Sequence, residues 1–324
     1  MRAIRIKSRQ GEDQMSKIVL WTLVIAALGM AACGKKPTEA EETVDHGYTL
    51  FKVPFGQLYW NKNTLYNMIS HSLCDSSGVA LFEYDGQTYY HPVYIGHLCE
   101  RALSDYYLSG EDKYLDYAKK SAQALVERAT RSHGGLYFPY QFDYYAYEHL
   151  LEYQAPWYSG LAQGVMLSVF SRLFYLTGDP VYAAYADSTL LTFTDFDNEI
   201  STVYRTQNDS LFSGNGYYWV DEYPGETRRF VLNGSISGSF GLYDHWWVFG
   251  DDLSRQLFSQ EMTSVMDHIL LYRNPGNISY YCLKFKRQQK YYHGLHQTLL
   301  NQCFLYTGEF YFQAMASLFY SDHH

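Results

Sequence analysis

Basic residues are scarce in this chain of 324 residues: 25 Lys and Arg stand against 34 Asp and Glu, for a net charge of −9. That balance gives no global case for nucleic acid, and an anionic partner has to be met by a local basic patch. Cysteine is sparse as well. Its five occurrences include no CxxC pair and no Cys/His ligand spacing, so the usual signs of a metal module are missing. Cys74, Cys99, Cys282 and Cys303 are expected as small buried apolar side chains. Nor does any apolar run reach the roughly 20 residues of a membrane-spanning helix. What is abundant is tyrosine, at 34 residues. Its flat apolar face and polar tip suit both helix packing and sugar-lined clefts.

The most apolar run, Ile18 to Ala32, follows Lys17 and ends in Ala31-Ala32-Cys33. This pattern resembles a bacterial lipoprotein signal. It implies a signal peptide over residues 1–33, with Cys33 left as the lipid-bearing first residue, and Met15 as the true start. Residues 34–46, rich in Glu and Lys, read as a polar tether. The expected location is the bacterial cell envelope, lipid-anchored at the outer membrane and facing the periplasm.

A theme recurs four times: "YYLSGEDKYLDYAKK" (106–120), "FYLTGDPVYAAYADS" (174–188), "WWVFGDDLSRQLFSQ" (246–260) and "FLYTGEFYFQAMASL" (304–318). Each has an aromatic helix end, a glycine, an acid and a second helical pattern. Glycine past a helix end is a C-cap signal, and an acid suits the next helix N-terminus. The repeat predicts helical hairpins with first helices at 92–109, 157–177, 232–249 and 293–307. Second helices are predicted at 111–129, 180–194, 251–271 and 308–320. "LAQGVMLSVFSRLFYL" (161–176) is apolar nearly all round, as an inner helix should be, and "EDKYLDYAKKSAQALVERA" (111–129) has a polar face. The expected fold is mainly α, an α/α barrel or toroid over 92–324 with a small β-rich segment at 47–91.

Parallel inner helices gather the loops 85–92, 147–160, 216–234 and 276–296 at one end. Helix N-termini converge there too, which favours an anion. The third loop holds "VDEYPGETRRFVLNG" (220–234), which packs Glu222, Tyr223, Arg228, Arg229 and Asn233 together. A cleft that is aromatic, locally cationic and rimmed by helix starts suggests an acidic carbohydrate. Read singly, these residues have plainer roles: Glu222-Tyr223-Pro224 as a turn, Asn233 as an N-cap, 284–290 as a solvated strip, and His293 and His296 as cap or core histidines with a weak metal case.

"WYSGLAQGVMLSVFSRLFYLTGD" (157–179), "DEYPGETRRFVLNGSISGSFGLYD" (221–244) and "YYHGLHQTLLNQ" (291–302) together resemble the C-terminal domain of D-glucuronyl C5-epimerases, from about residue 80 to the end. The resemblance implies an α/α barrel and conversion of D-glucuronate to L-iduronate in a heparosan-like polymer. It implies catalytic roles for Glu222, Tyr223, Tyr281 (with Tyr280 one residue away) and Tyr292. It implies substrate binding by Asn233, Lys284 and His293, and Gln163, Arg229 and Lys290 are expected as further substrate contacts. Cys282 and Lys284 depart from the family's Asp and Arg, Ser237 departs from a tyrosine of the animal enzymes, and most of the large β-domain of those enzymes is missing.

The chemistry fits those residue types. Removing a proton alpha to a carboxylate builds a second negative charge, which a protonated acid such as Glu222 can offset. Phenols titrate near 10, so a phenol base needs help; the strip Lys284, Lys286, Arg287, Lys290 and His293 is expected to lower those values. Tyr223 with Tyr281 or Tyr292 is the expected opposed pair. A polysaccharide lyase starts with the same proton removal, and a non-catalytic lipid-anchored carbohydrate-binding protein is the reading from a different class. A glycoside hydrolase wants two flanking carboxylates, and Asp221 and Glu222 are adjacent. Neither a cofactor nor a metal is called for. The partners expected are an acidic polysaccharide, a membrane through the lipid anchor, and a second copy in a homodimer.

Overall fold

A computed structural model describes residues 43–61, 73–146, 151–226 and 228–323. The lipoprotein-type signal with Cys33, and the tether up to residue 42, lie outside the described residues.

Four helical hairpins follow one another: α1 (Pro92–Ser109) with α2 (Asp112–Val126), α3 (Gly160–Thr177) with α4 (Pro180–Leu190), α5 (Leu232–Phe249) with α6 (Asp252–His268), and α7 (Lys290–Thr307) with α8 (Phe310–Asp322). Each first helix ends on a glycine in the left-handed region: Gly110, Gly178, Gly250 and Gly308, with φ between 68° and 70°. Each of these amides returns to the carbonyl four residues back, closing the helix end. The acid that follows is the N-cap of the partner helix, and Asp179, Asp251 and Glu309 accept from its first-turn amides. The four-fold glycine-acid theme is therefore the tight end of an α/α barrel.

The inner helices α1, α3, α5 and α7 pack in sequence order, each backed by its outer partner. Contact between α3 and α5 is backbone on backbone. A Cβ built on Gly164 would fall on the Gly238 carbonyl, and one on Gly241 would fall on that of Gly164. Arg172 of α3 crosses the same interface to Asp244 of α5 at 2.7 Å, both wholly buried.

At the other end the connections are long and carry β-hairpins. The pair β1 (Phe82–Tyr84) and β2 (Gln87–Tyr89) precedes α1. β3 (Thr130–Ser132) with β4 (Gly135–Tyr137), then β5 (Tyr144–Ala146) with β6 (Leu151–Tyr153), lie between α2 and α3. β7 (Val203–Arg205) and β8 (Tyr218–Val220) lie between α4 and α5. All four pairs are antiparallel. β1 and β2 turn through Asp85-Gly86, both at positive φ, as a two-residue hairpin of this kind requires.

The segment expected as small and β-rich contributes this hairpin, preceded by an extended strap. The Val44 amide donates to the Gly216 carbonyl, Tyr48 to the Ser259 hydroxyl and Phe51 to the Tyr306 carbonyl. Phe55 then packs between Tyr107 and Tyr175 at the glycine-turn end, with centroids at 4.5 and 5.4 Å. Arg172 holds the Tyr59 carbonyl at 2.8 Å and Asn61 at 3.1 Å. The strap thus enters the ring and delivers Tyr59 and Trp60 to its interior.

Two inner-helix starts differ from expectation. α3 begins at Gly160 rather than 157, because Trp157 is taken up in a backbone bridge with Tyr140, with N–H···O bonds of 2.8 and 3.2 Å. α7 begins at Lys290 rather than 293, which places Tyr292 in its first turn. The helices α4 and α6 also stop early, and their last turns tighten into 3-10 geometry at 191–193 and 269–272.

The glycine contact makes a test of the packing. Gly164→Ala should destabilise the fold by about 1–3 kcal/mol, because the added methyl forces α3 from α5. Gly294→Ala, in α7 with nothing within 4 Å of an added Cβ, should stabilise it by about 0.5–1 kcal/mol through helix propensity. Urea midpoints for the two variants should move in opposite directions.

Candidate active site

The loop end of the barrel contains a cleft of about 360 Å³. Its floor comes from the strap: Trp60 sits at positive φ (69°), tilted over His97 at 4.2 Å. One wall is aromatic. Tyr140 stacks on Trp157 at 3.9 Å and 8°, and Trp157 faces Tyr223 at 6.1 Å. Tyr144 is nearly parallel to Tyr223 at 6.0 Å. Such plates present the apolar face that the C–H side of a sugar ring prefers.

Glu222 faces this wall. It is 7% exposed, and its carboxyl lies against the first turn of α5, where a Cβ on Gly234 would strike it. Burial raises its pKa to about 8, against the smaller opposing effects of the Tyr281 hydroxyl and the Arg229 guanidinium. At neutral pH it is a carboxylic acid, able to donate a hydrogen bond.

Tyr281 reaches Glu222 across 59 residues of sequence by backbone pairing. The Leu232 amide donates to the Tyr281 carbonyl at 3.2 Å, and Leu283 to the Arg229 carbonyl at 3.1 Å. This puts the Tyr281 hydroxyl 3.4 Å from Glu222 Oε2. Tyr292, in the first turn of α7, packs on Tyr281 at 4.5 Å and lines the cleft. Tyr280 points elsewhere, to Asn274 at 3.4 Å. Asn233, in the first turn of α5, also lines the cleft. It is the second residue of the helix rather than the N-cap, which is Val231. Its Oδ1 is buried and meets no donor among the described residues, so a ligand hydroxyl would satisfy it.

Several expected substrate contacts are corrected by the fold. Gln163 is fully buried away from the cleft, accepting from the Phe138 amide at 3.0 Å and donating to the Leu136 carbonyl at 2.9 Å. It brackets β4 against α3. His293 is buried too: its Nδ1 accepts from the Ser279 amide at 3.0 Å and its Nε2 donates to the His323 carbonyl at 2.9 Å. Lys284 and Lys290 are exposed and are not among the lining residues. Arg229 is wholly buried, its guanidinium over the rings of Tyr153 at 4.7 Å and Tyr223 at 5.0 Å. Arg228 is held by Asp221 at 2.9 Å.

The phenols therefore do not have the lowered pKa values expected of a cationic strip. Burial first, and the charge of an ionised Glu222 second, push Tyr292 up to about 12 and Tyr223 well above 10. Residues that the sequence did not single out are the wall plates Tyr140 and Trp157, the floor residue Trp60, and His91. The loop 85–92 had been placed at this end, but nothing in its composition separates a lining histidine from a cap. Cys99, Cys282 and Cys303 are buried thiols as expected, while Cys74 is exposed.

The raised Glu222 has a stability signature. Folded, it keeps its proton to about pH 8; the ordinary value is 4.5. The folded state binds more protons between these values, so stability falls as pH rises through that window. Glu261, buried behind it and also raised to about 8, acts in the same direction. Glu222→Gln should flatten the decline in urea midpoint between pH 5 and 8 without abolishing it. A slope equal to wild type would show that Glu222 is not a protonated acid.

A family model described as the D-glucuronyl C5-epimerase C-terminus matches residues 131–321. An uncharacterised protein of Methanocaldococcus jannaschii is 26% identical over 153 residues, 47% of this chain and 48% of its own length. Among solved structures, cellobiose 2-epimerase from Spirochaeta thermophila shares the fold with a TM-score of 0.52 at 14% identity, over 79% of this chain and 65% of that one. Unsaturated glucuronyl hydrolase from Streptococcus agalactiae aligns at 0.46 and 16%, over 70% and 57%. This chain thus spans about half of the archaeal protein's length and just under two thirds of the cellobiose 2-epimerase chain. With more than half of its residues matched, the chain belongs to the D-glucuronyl C5-epimerase family, through the carbohydrate-epimerase domain that forms the C-terminus of those enzymes.

Proposed function

We propose that this protein is a C5-epimerase of a uronic-acid polysaccharide, converting D-glucuronate to L-iduronate units in a heparosan-like chain. The observation that carries this reading is a protonated carboxyl, Glu222, in one cleft with two phenols, Tyr223 and Tyr292. Glu222 donates to the substrate carboxylate, which lowers the cost of the charge that builds there when C5 loses its proton. One phenolate takes that proton, the C–H electron pair moves into the carboxyl group, and the phenol on the opposite ring face returns a proton to C5. The turnover exchanges the protonation of the two phenols.

Tyr223 and Tyr292 are the opposed pair in this reading. Both line the cleft, whereas Tyr281 is 5% exposed and bonded to Glu222. Tyr281 then holds the acid. The Arg229 guanidinium below Tyr223, and the α7 N-terminus beside Tyr292, favour the phenolate at either place. Asn233 takes a sugar hydroxyl. The segment ending at Cys33 supports action at the cell envelope on a polymer presented there.

The residues around residue 40 to the end, incubated with heparosan and N-sulfated heparosan in heavy water, should lose the C5 proton and gain iduronate signals by proton NMR. Tyr223→Phe should reduce exchange by about 10²–10⁴-fold. The rate should fall above about pH 8, where Glu222 ionises, and Glu222→Gln should lack that limb. Unsaturated uronate products would mean a lyase instead. Binding without exchange on any uronan would mean a carbohydrate-binding protein.

A further inference from the structure

His91 precedes the family-matched residues and caps α1 from within the cleft lining. The Tyr94 amide donates to its Nδ1 at 3.1 Å. A backbone amide can only donate, so Nδ1 holds a lone pair and the neutral ring carries its proton on Nε2. The ring is fixed by Phe82 at 4.6 Å and by Tyr140, edge-on, at 4.8 Å. Burial holds its pKa down at about 4, so it stays neutral at any pH where Glu222 and the phenols work. Among the described residues no acceptor meets Nε2. Tyr140, its neighbour, is the plate that stacks on Trp157, so this N–H stands beside the wall on which the sugar lies.

We propose that His91 is a substrate-binding residue whose Nε2–H donates a hydrogen bond to a hydroxyl oxygen of the uronate residue held in the cleft. Its one lone pair is spent on the α1 cap, so it cannot serve as the base. It positions the ring from the α1 side, while Glu222 and Asn233 act from the α5 side. A neutral donor suits this place, because a cation there would compete with Glu222 for the substrate carboxylate. A hydroxyl contact is made equally in the ground and transition states, so its loss should appear in binding rather than in the chemical step.

The proposal rests on the uronate reading, and its test keeps the two separable. His91→Asn retains a capping oxygen, while its shorter side chain draws the remaining N–H donor back from the position of Nε2. It should raise KM for heparosan about tenfold, the equivalent of one hydrogen bond, with kcat nearly unchanged. In the wild-type chain labelled at histidine with ¹⁵N, His91 should show the Nε2–H tautomer, and that signal should shift on addition of a heparosan hexasaccharide. Active enzyme with an unmoved His91 signal and unchanged KM in the Asn variant overturns the inference and leaves the epimerase reading standing. A fall in kcat at unchanged KM would assign the bond to the reacting carboxyl and overturn the hydroxyl contact. Hexasaccharide binding without C5 exchange would sink the epimerase reading, and the affinity of the Asn variant would then still decide for or against His91. A chain that does not bind the hexasaccharide overturns both.

Discussion

The carboxyl of Glu222 rests against the first turn of α5 because residue 234 has no side chain, and much of the site follows from that contact. Any Cβ at 234 would meet the carboxyl itself. Excluded from water there, the acid keeps its proton to about pH 8. A carboxylate in this position would repel a uronate; a carboxylic acid binds one. Glu222 also sets the phenols, since its ionised form raises both Tyr223 and Tyr292. Protonation of one group therefore eases ionisation of the others, and the cleft behaves as a unit that shares its charge.

The barrel makes this placement stable. Its glycine-turn end is tight and repeats four times, whereas the opposite end has long connections, two of whose β-hairpins supply Phe82, Tyr84 and Tyr144 to the cleft lining. Backbone packing of α3 on α5 at Gly164, Gly238 and Gly241 fixes where α5 starts, and hence where Glu222, Asn233 and the paired strand 281–283 meet. The strap fills the interior from the glycine-turn end, held by Arg172. Breaking the Arg172–Asp244 pair would leave a buried charge uncompensated, which typically costs about 3–5 kcal/mol, so the floor of the cleft is tied to the same helix interface as its acid.

Much of this was legible in the sequence because it is local. The four glycine-acid turns state their own conformation, and the starts of α1 and α5 at 92 and 232 fall where the pattern puts them. Glu222 and Tyr223 were found as neighbours in one segment and as motif residues of one family. Long-range arrangement was not legible. The strip 284–290 is basic in sequence, yet Lys284 and Lys290 face solvent, while Arg229, expected to bind substrate, is buried beneath the aromatic wall. Gln163 sits one turn into a glycine-rich inner helix, but only the fold shows that β4 takes up its amide. His293 resembles a site histidine by its place beside Tyr292. Its ring is turned away to Ser279 and His323, because side chains at successive helical positions point about 100° apart.

That last contrast bears on how two phenols come to share one acid. Tyr281 and His293 lie on segments joined by Ser279, whose amide donates to His293 and whose hydroxyl lies 2.9 Å from His296 Nδ1. The histidines thus pin the strand carrying Tyr281 to the helix carrying Tyr292. His296 is kept neutral by burial, with its pKa lowered to about 3. Histidines in a motif beside a cleft-lining tyrosine invite assignment to proton transfer. Here the Nδ1 atoms of both rings meet Ser279, beside two tyrosines whose rings lie 4.5 Å apart, so both histidines have a structural part in holding that pair together.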